Sequence, residues 1–151
     1  MALTHFDPIA SFCCAEPPIT LLVVDDHAGV RQTVMALVAT EFPHLRLLEA
    51  ECAEAALTLC GTEQPDLIVL DITLPGMDGF EAARRIKESW PRTVIVMHSS
   101  SDMSVYRDAS LAAGAAAFVG KGRNSRNLVP IIAGLLPARG GPGSPANPAL
   151  Y

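Results

Sequence analysis

The stretch that decides the fold is Leu67-Ile-Val-Leu-Asp71-Ile-Thr-Leu-Pro75-Gly-Met-Asp-Gly-Phe80. Its first four residues form an unbroken apolar run, the pattern of a strand covered on both faces in a parallel sheet. A carboxylate, Asp71, then stands at the strand's C-terminal end, where open α/β sheets gather their reactive groups. Pro75-Gly76 predicts a turn. Asp78, with Glu81 three residues on, predicts a helix opened by a capping box. Asp71 is therefore held between a rigid strand and a short structured loop, a place suited to a nucleophile or a metal ligand. An acid directly after a buried strand is costly without a partner, so of all the candidates Asp71 is the hardest to read as ordinary surface.

Working outward, Ile19–Val24 reads as a first strand ending in Asp25-Asp26. Apolar residues at helical spacing (Val30, Val34, Leu37, Val38) predict a first helix to about Phe42, stopped by Pro43. Leu45–Glu49 reads as a second strand, and Ala53–Cys60 as a second helix closed by Gly61. The third helix runs from Gly79 to about Ser89, before Pro91. Thr93–His98 is a β-branched fourth strand. A fourth helix over about Ser104–Ala113 places Val105, Ala109, Ala112 and Ala113 on one face, with Gly114 after it. Ala116–Val119 is a fifth strand, followed by Lys121. Leu128, Ile131, Ile132, Leu135 and Leu136 mark a fifth helix whose first turn Pro130 should shorten or bend. Five strands alternating with five helices imply an α/β fold, a doubly wound five-stranded parallel sheet. Right-handed crossovers then bring all the strand C-termini to one rim.

With 151 residues, half of them hydrophobic, the chain suits one domain, placed at residues 19–136. Residues 1–18 hold three prolines and no sustained period, and read as a loosely ordered extension. Residues 137–151, with four prolines and three glycines, read as a flexible tail. A net charge of −5 argues against a general nucleic-acid surface. No apolar run approaches the roughly 18 residues of a membrane span, and the N-terminus lacks a secretory pattern. Cys13, Cys14, Cys52 and Cys60 have no zinc-site spacing. Cys52 and Cys60 fall in the second helix as small apolar groups. A reducing cytoplasm is the simplest setting.

Asp25, Asp26, Asp71, Ser99 and Lys121 all fall at strand ends, so the predicted sheet gathers them on one rim. Three carboxylates at close range repel one another unless a cation is present. Oxygen-only ligation suits Mg²⁺. Lys121 adds a fixed positive charge, and Ser99 a hydroxyl able to bond a phosphoryl oxygen. This is a set of groups for phosphoryl transfer to a carboxylate, with Asp71 attacking in line. His27 and His98 read as a residue at a helix start and a strand residue.

Val23-Val-Asp-Asp-His27, the Leu67–Phe80 stretch, Ser99, and Gly114-Ala-Ala-Ala-Phe118-Val-Gly-Lys121 together resemble the receiver domain of two-component response regulators over residues 19–136. The resemblance implies the flavodoxin-like fold and a set of roles. Asp71 would be the phosphoacceptor. Asp25, Asp26, Asp71 and the backbone carbonyl of Thr73 would hold Mg²⁺. Ser99 would be the switch hydroxyl, Phe118 the switch aromatic and Lys121 the phosphate-contacting lysine. The Asp25-Asp-His-x-x-x-Arg31 opening is similar to receivers that precede LuxR-type helix-turn-helix domains. The implied partners are a histidine kinase or phosphotransfer protein, a downstream protein, and a second copy meeting through the fourth helix, fifth strand and fifth helix. Direct contact with nucleic acid or membrane is not expected.

Two departures stand out. Gly122 replaces the proline or acid usual after the lysine and should loosen the next loop. Thr73 and Ser101 should tune phosphate lifetime. The function expected is that of a stand-alone phosphoacceptor module, not an enzyme, whose switching face is biased by about 1–3 kcal/mol. The alternatives are a transcriptional regulator whose output domain is missing, and an Asp-nucleophile phosphohydrolase. The latter is disfavoured because Thr73 stands where that family needs a second acid.

Overall fold

The run Leu67–Asp71 is the third strand of a five-stranded sheet, and every one of its residues is buried. The structure is a computed structural model that describes residues 17–100 and 104–137. The strands are β1 (Thr20–Val24), β2 (Arg46–Ala50), β3 (Leu67–Asp71), β4 (Val94–Ser99) and β5 (Ala117–Gly120). All pair in parallel, in the order β2-β1-β3-β4-β5. The helices are α1 (Ala28–Glu41), α2 (Ala53–Glu63), α3 (Gly79–Ser89), α4 (Ser104–Ala112) and α5 (Leu128–Leu135), with a 3₁₀ turn over Gly122–Asn127 before α5. This is the doubly wound, flavodoxin-like architecture, whose order reverses between β1 and β3 and opens a crevice at their C-terminal ends.

Alternation along each strand divides the core. Leu22, Val24, Ile68, Leu70, Ile95 and Met97 pack with Ala56, Ala82, Ala83, Ile86 and Ala113 beneath α2, α3 and α4. Leu21, Val23, Leu67, Val69 and Val96 pack with Val34, Val38, Leu128 and Ile132 of α1 and α5. Small alanines on α2 and α3 let these helices lie close to the sheet. The two-sided burial explains why β1, β3 and β4 read as continuous apolar runs.

Several boundaries differ from the sequence reading. α1 starts at Ala28 rather than Val30, because Nδ1 of His27 accepts the Val30 N–H and caps it. α2 runs through Gly61 to Glu63, and Gln64 ends it at φ 47°. Cys52 is the N-cap of α2, its sulfur accepting the Ala55 N–H, rather than a residue within the helix. Asp78 caps α3 by accepting the Glu81 N–H, but the predicted box does not close, since the Glu81 carboxylate pairs with Arg84 and Arg85.

On α4 the inward residues are Tyr106, Ala109 and Ser110, while Val105 and Ala112 face solvent. Ser110 is tolerated there because its hydroxyl donates to the Tyr106 carbonyl at 2.6 Å, and Tyr106 stacks on Phe80 of α3. The predicted apolar face is rotated accordingly. Pro130 sits in the first turn of α5, where its missing N–H is one of the donors left unpaired anyway. Gly122 adopts φ +83°, the left-handed step that starts the 3₁₀ turn and that glycine makes most readily. The expectations for residues 1–16, for Ser101 and for the tail beyond residue 137 lie outside the described residues.

Gly79 joins the fold to the rim. Its N–H donates to the Ile72 carbonyl at 2.8 Å, and a Cβ there would collide with the backbone of Asp71 and Ile72. Gly79→Ala should destabilise the protein by about 1–3 kcal/mol, measured by urea denaturation. It should also shift the backbone amide resonances of Asp71 and Ile72 more than those of β2.

Candidate functional site

The rim is built by strand ends that the ladders hold at fixed spacing. Asp25 directly follows β1, Asp71 and Ser99 close β3 and β4, and Lys121 directly follows β5. The last bond of the sheet runs from the Lys121 N–H to the Ser99 carbonyl at 2.6 Å, so the lysine leaves the sheet beside the serine. Asp25, Asp71 and Ser99 are buried, whereas Asp26 and Thr73 are exposed. Carboxylate oxygens of Asp25, Asp26 and Asp71 all lie within 4.8 Å of one another. The predicted acidic cluster therefore forms.

Each buried acid is held by both oxygens. One oxygen of Asp25 accepts the His27 N–H at 2.9 Å, and the other meets Lys121 Nζ at 2.7 Å. For Asp71, Oδ1 accepts the Thr73 N–H at 3.2 Å and Oδ2 lies 3.1 Å from the same Nζ. One ammonium thus bridges two carboxylates, and the third, Asp26, stands at the solvent side. Burial pushes the Asp71 carboxyl above its usual range; the Lys121 charge and hydrogen bond pull it back, and Asp25 pushes it up again. Burial works against the Lys121 ammonium, but Asp25 and Asp71 together outweigh this and raise its pKa. Lys121 thus opposes, without cancelling, the effect of burial on Asp71.

The donor set fits Mg²⁺: only oxygens, three carboxylates, and an open solvent side for the waters this ion retains. Phe118 is half-buried against the α3/α4 side of the sheet, in register with Met97. Ser99 pairs with Gly120 two positions further along. The sequence reading missed three contributors to the site. In the sequence Gly79 marks only the start of a helix, and its crowding appears only once α3 is folded back. In the sequence Arg31 marks only the end of a motif. Its guanidinium reaches back to the Asp25 carbonyl at 2.8 Å.

His98 is the third. The sequence reads it as an ordinary strand residue, yet it pairs in register with Asp71 and is only 3% exposed. Its Nε2 has no hydrogen-bond partner among the described residues. Burial, helped by the Lys121 charge and opposed by Asp25, lowers its pKa to about 4. Because the folded value lies below the unfolded one, the unfolded chain binds the proton first as pH falls. His98 therefore costs nothing above its unfolded pKa near 6.5. Below that pH it destabilises the fold progressively until about pH 4, by up to roughly 3 kcal/mol. Denaturant unfolding across this window should show a steeper loss of stability in the native protein than in His98→Leu. Parallel curves for the two would refute the assignment.

Comparison with known proteins follows the same lines. Residues 21–133 match the family described as response regulator receiver domain. The response regulator GacA of Pseudomonas aeruginosa is 31% identical over 115 residues, covering 76% of this chain and 53% of that protein. The phosphate regulon transcriptional regulatory protein PhoB of the same organism is 36% identical over 131 residues, covering 85% and 56%. The chain spans about half the length of these curated relatives. Among solved structures, a LuxR-family two-component response regulator from Aurantimonas sp. SI85-9A1 superposes with a TM-score of 0.72 at 30% identity, covering 78% of this chain and 84% of that one. The chemotaxis response regulator CheY4 of Vibrio cholerae shares the fold, with a TM-score of 0.71 at 23% identity over 80% of this chain and 100% of that chain. Among the described residues, no helix is long and apolar enough to cross a membrane.

Proposed function

The chain belongs to the response-regulator receiver family, and we propose that it accepts a phosphoryl group on Asp71 from a histidine kinase or phosphotransfer protein and relays the change through its α4-β5-α5 face. The observation that carries this reading is the single ammonium of Lys121 bridging Asp25 and Asp71 beside a third acid, Asp26. Such a cluster has little use as a structural ion pair, because it concentrates more negative charge than it neutralises. It is suited to receiving a cation and a phosphoryl group together.

In this reading an Asp71 oxygen attacks phosphorus in line. The new O–P bond forms as the donor's N–P bond breaks, and the electron pair leaves with the imidazole. Asp25, Asp26, Asp71 and the Thr73 carbonyl would hold Mg²⁺, which when bound neutralises charge on the transferring oxygens. Lys121 turns from its two acids toward the phosphoryl oxygens. The hydroxyl of Ser99 bonds another of them, and Phe118 moves inward into the space the serine vacates. On α4 Val105 and Leu111 are 65% and 52% exposed, large apolar side chains that supply contact area for a partner or a second copy.

Intact mass after incubation with Mg²⁺ and acetyl phosphate tests the proposal. One phosphoryl group should add to the native chain, and none to Asp71→Asn or to a sample treated with chelator. An adduct of equal yield on Asp71→Asn would move the acceptor elsewhere. Absence of both an adduct and beryllofluoride binding on the native chain would overturn the reading.

A further inference from the structure

We propose that Arg31 is a positioning residue for the acidic cluster, a clamp that holds the β1–α1 turn so that Asp25 and Asp26 face Asp71 at the spacing a small divalent cation needs. The inference rests on reading that cluster as a Mg²⁺ site. Arg31 lies in the first turns of α1, and its side chain is only 15% exposed. Its fork is divided between two targets. Nη1 donates to the Asp25 carbonyl at 2.8 Å, and Nε donates to Oε2 of Glu49, on β2, at 2.9 Å.

The rest of the turn closes around the same residue. The Arg31 N–H donates to the His27 carbonyl at 3.0 Å, and the Asp25 N–H to the Ala50 carbonyl at 3.2 Å. The His27 N–H donates to the Asp25 carboxylate at 2.9 Å. Asp25 is thereby fixed through its amide, its carboxylate and its carbonyl. Because the peptide group is planar, fixing the Asp25 carbonyl also fixes the plane of the Asp26 amide. That sets the direction from which the exposed Asp26 side chain departs. Asp26 is the member of the triad that Lys121 does not touch, so its placement depends most on the turn. The motif Asp25-Asp-His-x-x-x-Arg31 is then one device: two acids, a capping histidine, and an arginine that returns to lock the first acid's backbone.

The sign of the effect separates positioning from charge. Removing a cation near three carboxylates should, by electrostatics alone, tighten Mg²⁺ binding. Removing a clamp should weaken it. Supporting residues around metal ligands typically govern affinity by about 10–100-fold, and Mg²⁺ demands near-octahedral geometry that the larger Ca²⁺ does not. Calorimetric titration of Mg²⁺ and of Ca²⁺ into native protein, Arg31→Ala and Arg31→Lys tests this, with metal-free unfolding as the control for folding.

Arg31→Ala should bind Mg²⁺ about tenfold more weakly and lose less affinity for Ca²⁺. Arg31→Lys keeps the charge but cannot hold both targets, so it should also bind Mg²⁺ more weakly than the native chain. Should Arg31→Ala fail to fold, the lysine variant decides alone. Native or tighter Mg²⁺ binding by a folded Arg31 variant would overturn the proposal, as would an equal loss for both ions. A native chain that binds no Mg²⁺ would instead bring down the metal-site reading beneath it.

Discussion

Like-charge repulsion at the β1/β3 crevice is the constraint the rest of the structure answers to. Three carboxylates with oxygens inside 4.8 Å of each other do not stay together unless their backbones are fixed and something positive stands between them. The parallel ladders do the first, placing Asp25 and Asp71 at adjacent strand ends. Lys121 does the second, from a strand two places along the sheet from β3. Its reach across β4 adds to burial, the larger cause, in holding the residue there, His98, in the neutral form.

The scaffold around that rim is stiff where the site needs it and irregular only where the chain must turn sharply. Alanines on α2 and α3 bring the helices close enough for Gly79 to touch the backbone that carries Asp71, so the loop after β3 has little room to drift. Gly122 makes the left-handed step that lets the chain leave Lys121 and enter a 3₁₀ turn before α5. On the opposite side of the crevice, Arg31 ties α1 to both β1 and β2. Each of these contacts adds modest stability by itself. Together they determine where four side chains end.

In the proposed function, the signal would leave through one surface. Ser99 and Phe118 lie on neighbouring strands, and Phe118 is only half-buried, against the side of the sheet that α4 covers. The α4 helix buries Ser110, half-buries Tyr106 and Ala109, and leaves Val105 and Leu111 in water. A change of charge at Asp71 would pass through Ser99 and Phe118 toward this helix, of whose described residues Ser110 alone is fully buried.

The chain by itself determined the order of strands and helices, the shared rim, and the residues on it, because those follow from period, punctuation and the placement of acids after apolar runs. Asp25, Asp26, Asp71, Ser99 and Lys121 could be named from their positions at strand ends. Local signals misplaced what depends on competition between neighbours: Gly61 inside α2, the Glu81 side chain drawn to Arg84 and Arg85, and the face of α4 that turns inward. Only the tertiary structure decided that one lysine bridges two of the acids, that Gly79 must be small, that Nε2 of the buried His98 has no partner among the described residues, and that Arg31 reaches back to Asp25. Each of those facts is a meeting of atoms from different elements, set by the distance between packed strands and helices, and no local pattern carries that distance.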